Sequence, residues 1–163
     1  MEKQFLDQYF FYIWLGLAAI LMSVFYFGGR AAIRKLGPID LSKAIYVEKS
    51  ASGYSARALN SGLGGASKTV HIIITNQELI LTTYLMLALI AEKIDLMQRI
   101  PLENIVHTEI RQKTFYSKLI VRYHDKNGKL KDIALASKNI DQIKGILDKQ
   151  SNPDKHEKKT MDS

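Results

Sequence analysis

The chain has 163 residues, with 23 Lys and Arg against 16 Asp and Glu, and a formal net charge of +7. A length of this order suits one folded domain and leaves little for a second. The absence of cysteine excludes disulfide frameworks, thiolate nucleophiles and cysteine-ligated zinc or iron–sulfur sites.

An uncharged apolar segment lies close to the N-terminus, after a short N-terminal segment at 1–8. From Tyr9 to Gly28 it spells YFFYIWLGLAAILMSVFYFG. A helix of about 20 residues rises about 30 Å, which is the thickness of the bilayer hydrocarbon. Aromatic residues crowd both ends, as they do in the interfacial belts of spanning helices. The sequence therefore predicts a transmembrane helix over 9–29.

A buried core helix and a cleaved signal peptide are the two alternatives to a membrane span. A core helix would need a layer that covers every face, and a domain this small can hardly supply one. A signal peptide would need a basic start and a small-residue cleavage site. Lys3 stands against Glu2 and Asp7, and no such site follows. We therefore predict an uncleaved anchor.

The residues that follow the apolar segment are basic. Arg30, Arg34 and Lys35 lie there, with a single lysine on the other side. The positive-inside rule predicts a single-pass protein of the cell (inner or plasma) membrane with its C-terminal domain in the cytoplasm. A juxtamembrane linker, 30–39, is expected to continue the helix until a Gly-Pro pair breaks it. Its cations can meet anionic head groups.

Three small residues share one face of the predicted span. Gly16, Ala19 and Ser23 are spaced at i, i+3 and i+7. Small residues allow two membrane helices to approach closely. This face is therefore a candidate helix–helix contact for a homodimer.

Residues 40–150 are predicted to form the folded domain, followed by a polar, disordered tail at 151–163. Apolar runs of period two predict strands at 44–48, 70–74, 78–83, 102–110, 118–124 and 129–135. Asn127-Gly128 between the last two is typical of a β-hairpin. Helical spacing over 139–149 predicts an amphipathic helix. The predicted fold is α+β, a transmembrane helix followed by a bent antiparallel sheet or small barrel that the C-terminal helix closes.

Two segments of the domain allow more than one interpretation. Residues 84–94, YLMLALIAEKI, are too few to span a bilayer. They form either a short helix packed on the sheet, which we favour because small apolar runs mostly fill cores, or a lipid-dipping loop beside the anchor. Residues 50–69 contain four Gly and five Ser and predict a flexible connection or a contact loop. Their near-match to a phosphate loop lacks the second glycine and precedes a strand, so nucleotide binding is not expected.

The order of elements resembles the pleckstrin-homology (PH) superfamily, most of all its bacterial and GRAM-like branches. The matching parts are ITNQELIL at 74–81, RIPLENI at 99–105, the Asn-Gly hairpin at 118–135 and the closing helix at 139–149. A narrower resemblance is to bacterial proteins that join one N-terminal anchor to such a domain. It rests on GYS at 53–55, GGA at 64–66 and the Thr-Asn pair at 75–76. The resemblance implies a barrel plugged by the C-terminal helix.

Basic residues concentrate in the last hairpin. Between residues 111 and 131, seven cations stand against Asp125 alone. Because alternate strand residues share a face, we expect Lys118, Arg122, Lys129 and Lys131 to project together, away from Leu130 and the other apolar residues of the hairpin. The alternative is a solvated outer sheet face with no binding role. The expected contacts with an anionic surface are Arg30, Arg34, Lys35, Arg111, Lys113, Lys118, Arg122, Lys129 and Lys131.

These features predict a non-catalytic binding or scaffold module on a membrane anchor. Its expected partners are the lipid bilayer, with anionic lipid head groups, or another membrane protein. The alternative is an interaction subunit of a membrane protein complex without lipid recognition. No cofactor or metal is expected, since His124-Asp125 has no third ligand at a suitable spacing. Catalysis is not expected because no reaction class can be named, and nucleic acid is not expected because no recognition module accompanies the charge.

Overall fold

The structure is a computed structural model and describes residues 2–55, 66–113 and 116–151. Its helices are α1 (Glu2–Leu36), α2 (Leu85–Lys93) and α3 (Ile140–Ser151). Its strands are β1 (Ala44–Ser55), β2 (Ala66–Thr75), β3 (Glu78–Thr83), β4 (Gln98–Pro101), β5 (Ile105–Lys113), β6 (Tyr116–His124) and β7 (Leu130–Ala136). Short 3₁₀ turns occupy Leu41–Lys43 and Leu102–Asn104.

The strands form one antiparallel sheet in the order β4-β3-β2-β1-β7-β6-β5. The long strand β1 joins its two halves, because it pairs with β2 along most of its length and with β7 over residues 52–55. Register shifts interrupt the pairing of β1 with β2. Such irregularities bend a strand and increase its twist. A single bent strand thus lets one sheet curl around a core.

The core lies inside this curled sheet and is closed by α3. The alternating residues Leu119, Val121, Ile133 and Leu135 of β6 and β7 are buried there, as the period-two pattern requires. The apolar stripe of α3, which includes Ile143, packs into the same cluster. The predicted fold class is confirmed, with an N-terminal apolar helix, an antiparallel sheet and a closing C-terminal helix.

Two predicted elements differ from the observed ones. β1 continues to Ser55 and β2 begins at Ala66, so both ends of the predicted flexible connection are strand, and residues 56–65 lie outside the described residues. Of the strand predicted at 102–110, the first three residues form a 3₁₀ turn and β5 begins at Ile105, while β4 precedes the predicted strand and ends at Pro101. Proline cannot donate to a strand ladder and is tolerated at an edge, which is where β4 lies.

The segment 84–94 forms the helix α2, in agreement with the interpretation we favoured. Its main partner is different from the expected one, because α2 packs chiefly on α1 and to a lesser extent on the sheet. The predicted tail beyond Ser151 lies outside the described residues. Its expected disorder therefore stays a prediction.

Candidate membrane-facing surface

Among the described residues, α1 is the one helix long and apolar enough to cross a membrane. The candidate span covers Tyr9–Leu36, with a mean hydropathy of 2.0, and no part of its apolar window is buried within the chain. Phe10, Ile20 and Phe27 are each more than half exposed. A core helix would be mostly buried, so this helix is a membrane span or a signal sequence.

The C-terminal part of α1 is packed on the domain. Gly29, Ala32 and Leu36 recur at i, i+3 and i+7, and all three are buried. Leu36 clusters with Ile73 and Ile80, which point outward from β2 and β3. The predicted linker 30–39 is therefore helical as far as Leu36, and this helix lies against the outer face of the sheet.

α2 contacts α1 at two adjacent glycines. A Cβ atom on Gly29 would lie 2.0 Å from the carbonyl oxygen of Leu85, and one on Gly28 would lie 2.9 Å from a methyl carbon of Leu89. Any side chain at residue 29 would therefore collide with the backbone of α2. A glycine inside a helix costs about 1 kcal/mol relative to alanine, and here it allows the two helices to touch.

The small residues singled out in the sequence lie elsewhere on α1. Gly16, Ala19 and Ser23 are all exposed in the single chain. The Ser23 hydroxyl donates to the Ala19 carbonyl within the same helix, at 2.8 Å. Their use in a homodimer stays a prediction. Sequence reasoning overlooked the Gly-Gly pair at 28–29, although two successive glycines in a helix are a signal for close packing.

Arg99 of β4 connects the end of α1 to the sheet through hydrogen bonds. Its guanidinium donates to the carbonyl oxygens of Leu36, at 3.2 Å, and Pro38, at 3.1 Å. It also forms a two-pronged ion pair with the Glu78 carboxylate and holds the pKa of Glu78 below its usual range. Gly37 ends the helix with a φ of +82°. The carbonyl of Leu36, the last residue of α1, thus finds on the sheet the partner that a helix end lacks.

The segments that follow β3 and β6 share one end of the sheet, because these two strands run in the same direction. We call this the open end; it carries α2 and the β6–β7 turn at 125–129. A cleft of about 520 Å³ lies here between α1, β4 and the turn, and its walls include Lys35 and Lys126. The Tyr123 hydroxyl donates to Gln98 in its wall, and burial raises the pKa of Tyr123 to about 12.

The predicted basic residues do not form one patch. Arg111 and Lys118 are paired across β5 and β6, far from the open end. At about 3.3 Å per residue, Lys118 lies about 20 Å along β6 from His124, the last residue before the turn. The hairpin cations are thus divided between the two ends of the strands. Lys126 and Lys131 line the cleft beside α1, and Lys129 belongs to the same β6–β7 turn.

One expectation about the hairpin is wrong. Alternate residues of a strand share a face, so Lys131 lies on the inner side of β7 with the buried residues Ile133 and Leu135. Leu130, on the other side, is half exposed. Lys131 therefore does not project with Lys118 and Arg122. Residues 131, 133 and 135 lie on one face because strand side chains alternate. The register pairs them with Tyr123, Val121 and Leu119, which are buried, so this is the inner face.

Carboxylates neutralise several of these cations. The Arg122 guanidinium binds both oxygens of Asp132, at 2.8 and 2.9 Å, and holds the pKa of Asp132 below its usual range. The other contacts are Arg111 with Glu109 at 3.2 Å, Lys131 with Asp125 at 3.3 Å and Lys118 over the ring of Tyr54 at 4.2 Å. The side chain of Lys113 lies outside the described residues. The residues Glu109 and Asp132 flank the segment 111–131, which is why counting charge inside it missed them.

The cations of α1 have a different environment. Arg30 and Arg34 are exposed, away from the buried face of the helix, and Lys35 pairs with Glu92 of α2 at 2.7 Å. Arg34 and the turn residues Lys126 and Lys129 form no ion pair with any described residue. Across the described part of the chain, no three His, Asp or Glu side chains converge as a metal site would require.

No protein-family model and no curated protein matches the chain. Among solved structures, the chain is similar to the Vps36 N-terminal PH domain, at 13% identity and a TM-score of 0.46. The match covers 68% of this chain and 80% of that one. The N-terminal apolar helix, the seven-stranded antiparallel sheet and the C-terminal helix are consistent with a PH-like α+β fold.

Proposed function

We propose that the chain is a single-pass membrane protein that holds a non-catalytic, PH-like binding module at the cytoplasmic membrane surface. The continuity of α1 carries this proposal. One helix runs from a wholly exposed apolar segment into a buried contact with α2 and the sheet. A cleaved leader has no need to pack on the mature domain, whereas a retained anchor gains a fixed orientation from it. Arg30 and Arg34 favour the cytoplasmic side for the domain.

Single introduced cysteines test this topology, because the natural chain has none. We expect Lys129→Cys to react with a membrane-impermeant maleimide in inside-out vesicles and not in intact cells. Gln4→Cys, on the other side of the span, is the matched control and should show the opposite pattern. Alkaline carbonate should leave the protein in the membrane. Labelling of Lys129→Cys in intact cells, or release by carbonate, would contradict the proposal.

We further propose that the module contacts anionic lipid head groups through the cations nearest the end of the apolar segment. Lys35 is seven residues after Gly28, which is about 10 Å along the helix axis. It lines the same cleft as the β6–β7 turn. Near an anionic leaflet each cation contributes about 1 kcal/mol within a Debye length of about 8 Å. Arg30, Arg34, Lys126 and Lys129 fit this role better than the paired cations Arg111 and Arg122.

The lipid contact predicts protection of the β6–β7 turn in anionic membranes. In nanodiscs of phosphatidylcholine with phosphatidylglycerol, we expect slower amide hydrogen exchange at 125–129 than in phosphatidylcholine alone. For two cations the exchange rates in the two lipids should differ by up to about 30-fold. The double variant Lys126→Gln/Lys129→Gln should abolish this difference. The matched control is Arg111→Gln/Lys118→Gln, at the far end of the strands. Equal exchange in the two lipids, or equal effects of both variants, would count against lipid recognition.

An interaction subunit of a membrane complex is the second candidate. One observation favours it, namely that α2 exposes the apolar residues Met86, Leu87 and Ile90. Exposed apolar residues that adjoin one another commonly mark a contact surface. If lipid covers these residues, the lipid-contacting module is favoured; if another protein covers them, the interaction subunit is favoured.

A further inference from the structure

α2 is apolar around its whole circumference, although only part of it is buried in the fold. Its sequence is LMLALIAEK. Ala88 and Ala91 are buried, Ala91 in the core of the domain, while Leu85 and Leu89 face the glycines of α1. A helix that is apolar all round is normally enclosed on every side. In this chain one side of α2 has no protein layer over it among the described residues.

The uncovered side of α2 carries large apolar side chains. Met86, Leu87 and Ile90 are 37%, 38% and 39% exposed, and Tyr84, just before the helix, is 51% exposed. The spacing of residues 86 and 90 places them on one face, one turn apart. Adjacent exposed apolar side chains of this kind mark a candidate contact surface.

The uncovered face adjoins the apolar surface of α1. α2 touches α1 at Gly28 and Gly29, where the uncharged segment ends, and Phe27 beside them is 68% exposed. α2 is apolar at its start and charged at its end, where Glu92 and Lys93 follow the apolar residues. The charged end of α2 reaches away from the apolar segment, with Glu92 paired to Lys35. The two helices are therefore apolar where they touch at Gly28 and Gly29 and charged where Lys35 meets Glu92.

The size of the face argues against a protein partner as its only cover. Four partly exposed side chains amount to a few hundred Å², whereas a stable protein interface buries about 800 Å² on each partner. A bilayer needs no minimum area, because the apolar surface of α1 already lies in it. An aromatic residue at the edge and a lysine at the polar end, Tyr84 and Lys93, are also typical of helices that lie in the interface.

We propose that α2 is an interfacial helix that inserts its Met86, Leu87 and Ile90 face into the lipid beside α1. The inference rests on the proposed membrane anchor and adds a second membrane contact to it. Two contacts joined through Gly28 and Gly29 fix the tilt of the domain, so that its open end and the β6–β7 turn are held at the head groups.

Lipid-borne quenchers test the insertion in the full-length chain. Met86→Cys and Ile90→Cys, each labelled with an environment-sensitive fluorophore and reconstituted in liposomes, should be quenched several-fold more by doxyl-labelled lipid than by aqueous iodide. Leu41→Cys is the matched control, because Leu41 is an exposed apolar residue after the end of α1. Its label should be quenched mainly by iodide. The same quenching pattern at residues 86 and 90 would show that neither label has displaced α2 by itself.

A label in the apolar segment separates failure of the inference from failure of the anchor. Ile20→Cys should be quenched by doxyl lipid whether or not α2 inserts. Quenching of Ile20→Cys together with iodide access to both α2 labels would overturn the inference and leave the anchor standing. Iodide access to Ile20→Cys would overturn both. If the α2 labels are open to iodide in liposomes but the unlabelled cysteines at residues 86 and 90 are shielded from maleimide in cell membranes, a protein partner covers the face and the inference is wrong.

Discussion

Gly29→Ala should loosen the contact between α1 and α2 by about 2–3 kcal/mol, since overpacking of a tight contact costs about 1–3 kcal/mol. The new Cβ would lie 2.0 Å from the carbonyl oxygen of Leu85, and a backbone atom cannot turn aside as a side chain does. One helix must therefore shift from the other. Amide hydrogen exchange of residues 85–93 in nanodiscs measures the loss, with an expected acceleration of about 30- to 150-fold.

Two other glycines of α1 provide a graded control for this prediction. Gly28→Ala meets only the flexible Leu89 side chain, so its effect should be smaller. Gly16→Ala meets no atom within 4 Å and should leave α2 unchanged while it favours the helix slightly. Similar exchange rates in the Gly29→Ala and Gly16→Ala variants would show that α2 is not held on α1 at this point.

Local patterns of the sequence were sufficient to predict the main elements of the fold. Apolar runs marked the strands that contain Ile72, Leu81 and Leu119. The run alternates in β6, whereas it is continuous in β2 and β3, which are buried on both faces. The spacing of Ile140, Ile143 and Leu147 likewise identified the closing helix. Composition misled at the end of β1, because Gly and Ser suggested a loop where Gly53 is buried close to Val70 and Leu96. Tertiary packing there overrides the weak strand preference of glycine.

The site was harder to predict, because it depends on which segments meet. The ion pairs of Arg122 with Asp132 and of Arg99 with Glu78 join neighbouring strands, and their formation follows from register. A shift of one residue exchanges the two faces of a strand. For β7, the apolar residues Ile133 and Leu135 were the better guide to the inner face than Leu130, which lies beside the turn. The packing of α2 on α1 had only the Gly-Gly pair as a signal.

Arg99→Met should destabilise the attachment of α1 to the sheet by about 1.5–3 kcal/mol, the range for hydrogen bonds to charged groups. The substitution keeps an apolar stem but leaves the Glu78 carboxylate without its partner. It also removes the donors to the Leu36 and Pro38 carbonyls. Hydrogen exchange of the amides of β3 and β4 in the full chain should accelerate accordingly. The amide of Leu102, which bonds the Gln77 carbonyl at 2.8 Å, is a convenient single probe.

The pH dependence of the Arg99→Met effect identifies its cause. Arg99 lowers the pKa of Glu78 from its usual 4.5 in the folded chain. The pair therefore stabilises the fold fully above pH 4.5, and this stabilisation is lost as the pH falls through the lower folded-state pKa. The difference between wild type and Arg99→Met should narrow below pH 4.5. Arg111→Met, which breaks an exposed pair with Glu109, should change little at any pH. A difference for Arg99→Met that stays constant into acid would show that side-chain packing, and not the ion pair, holds the end of α1.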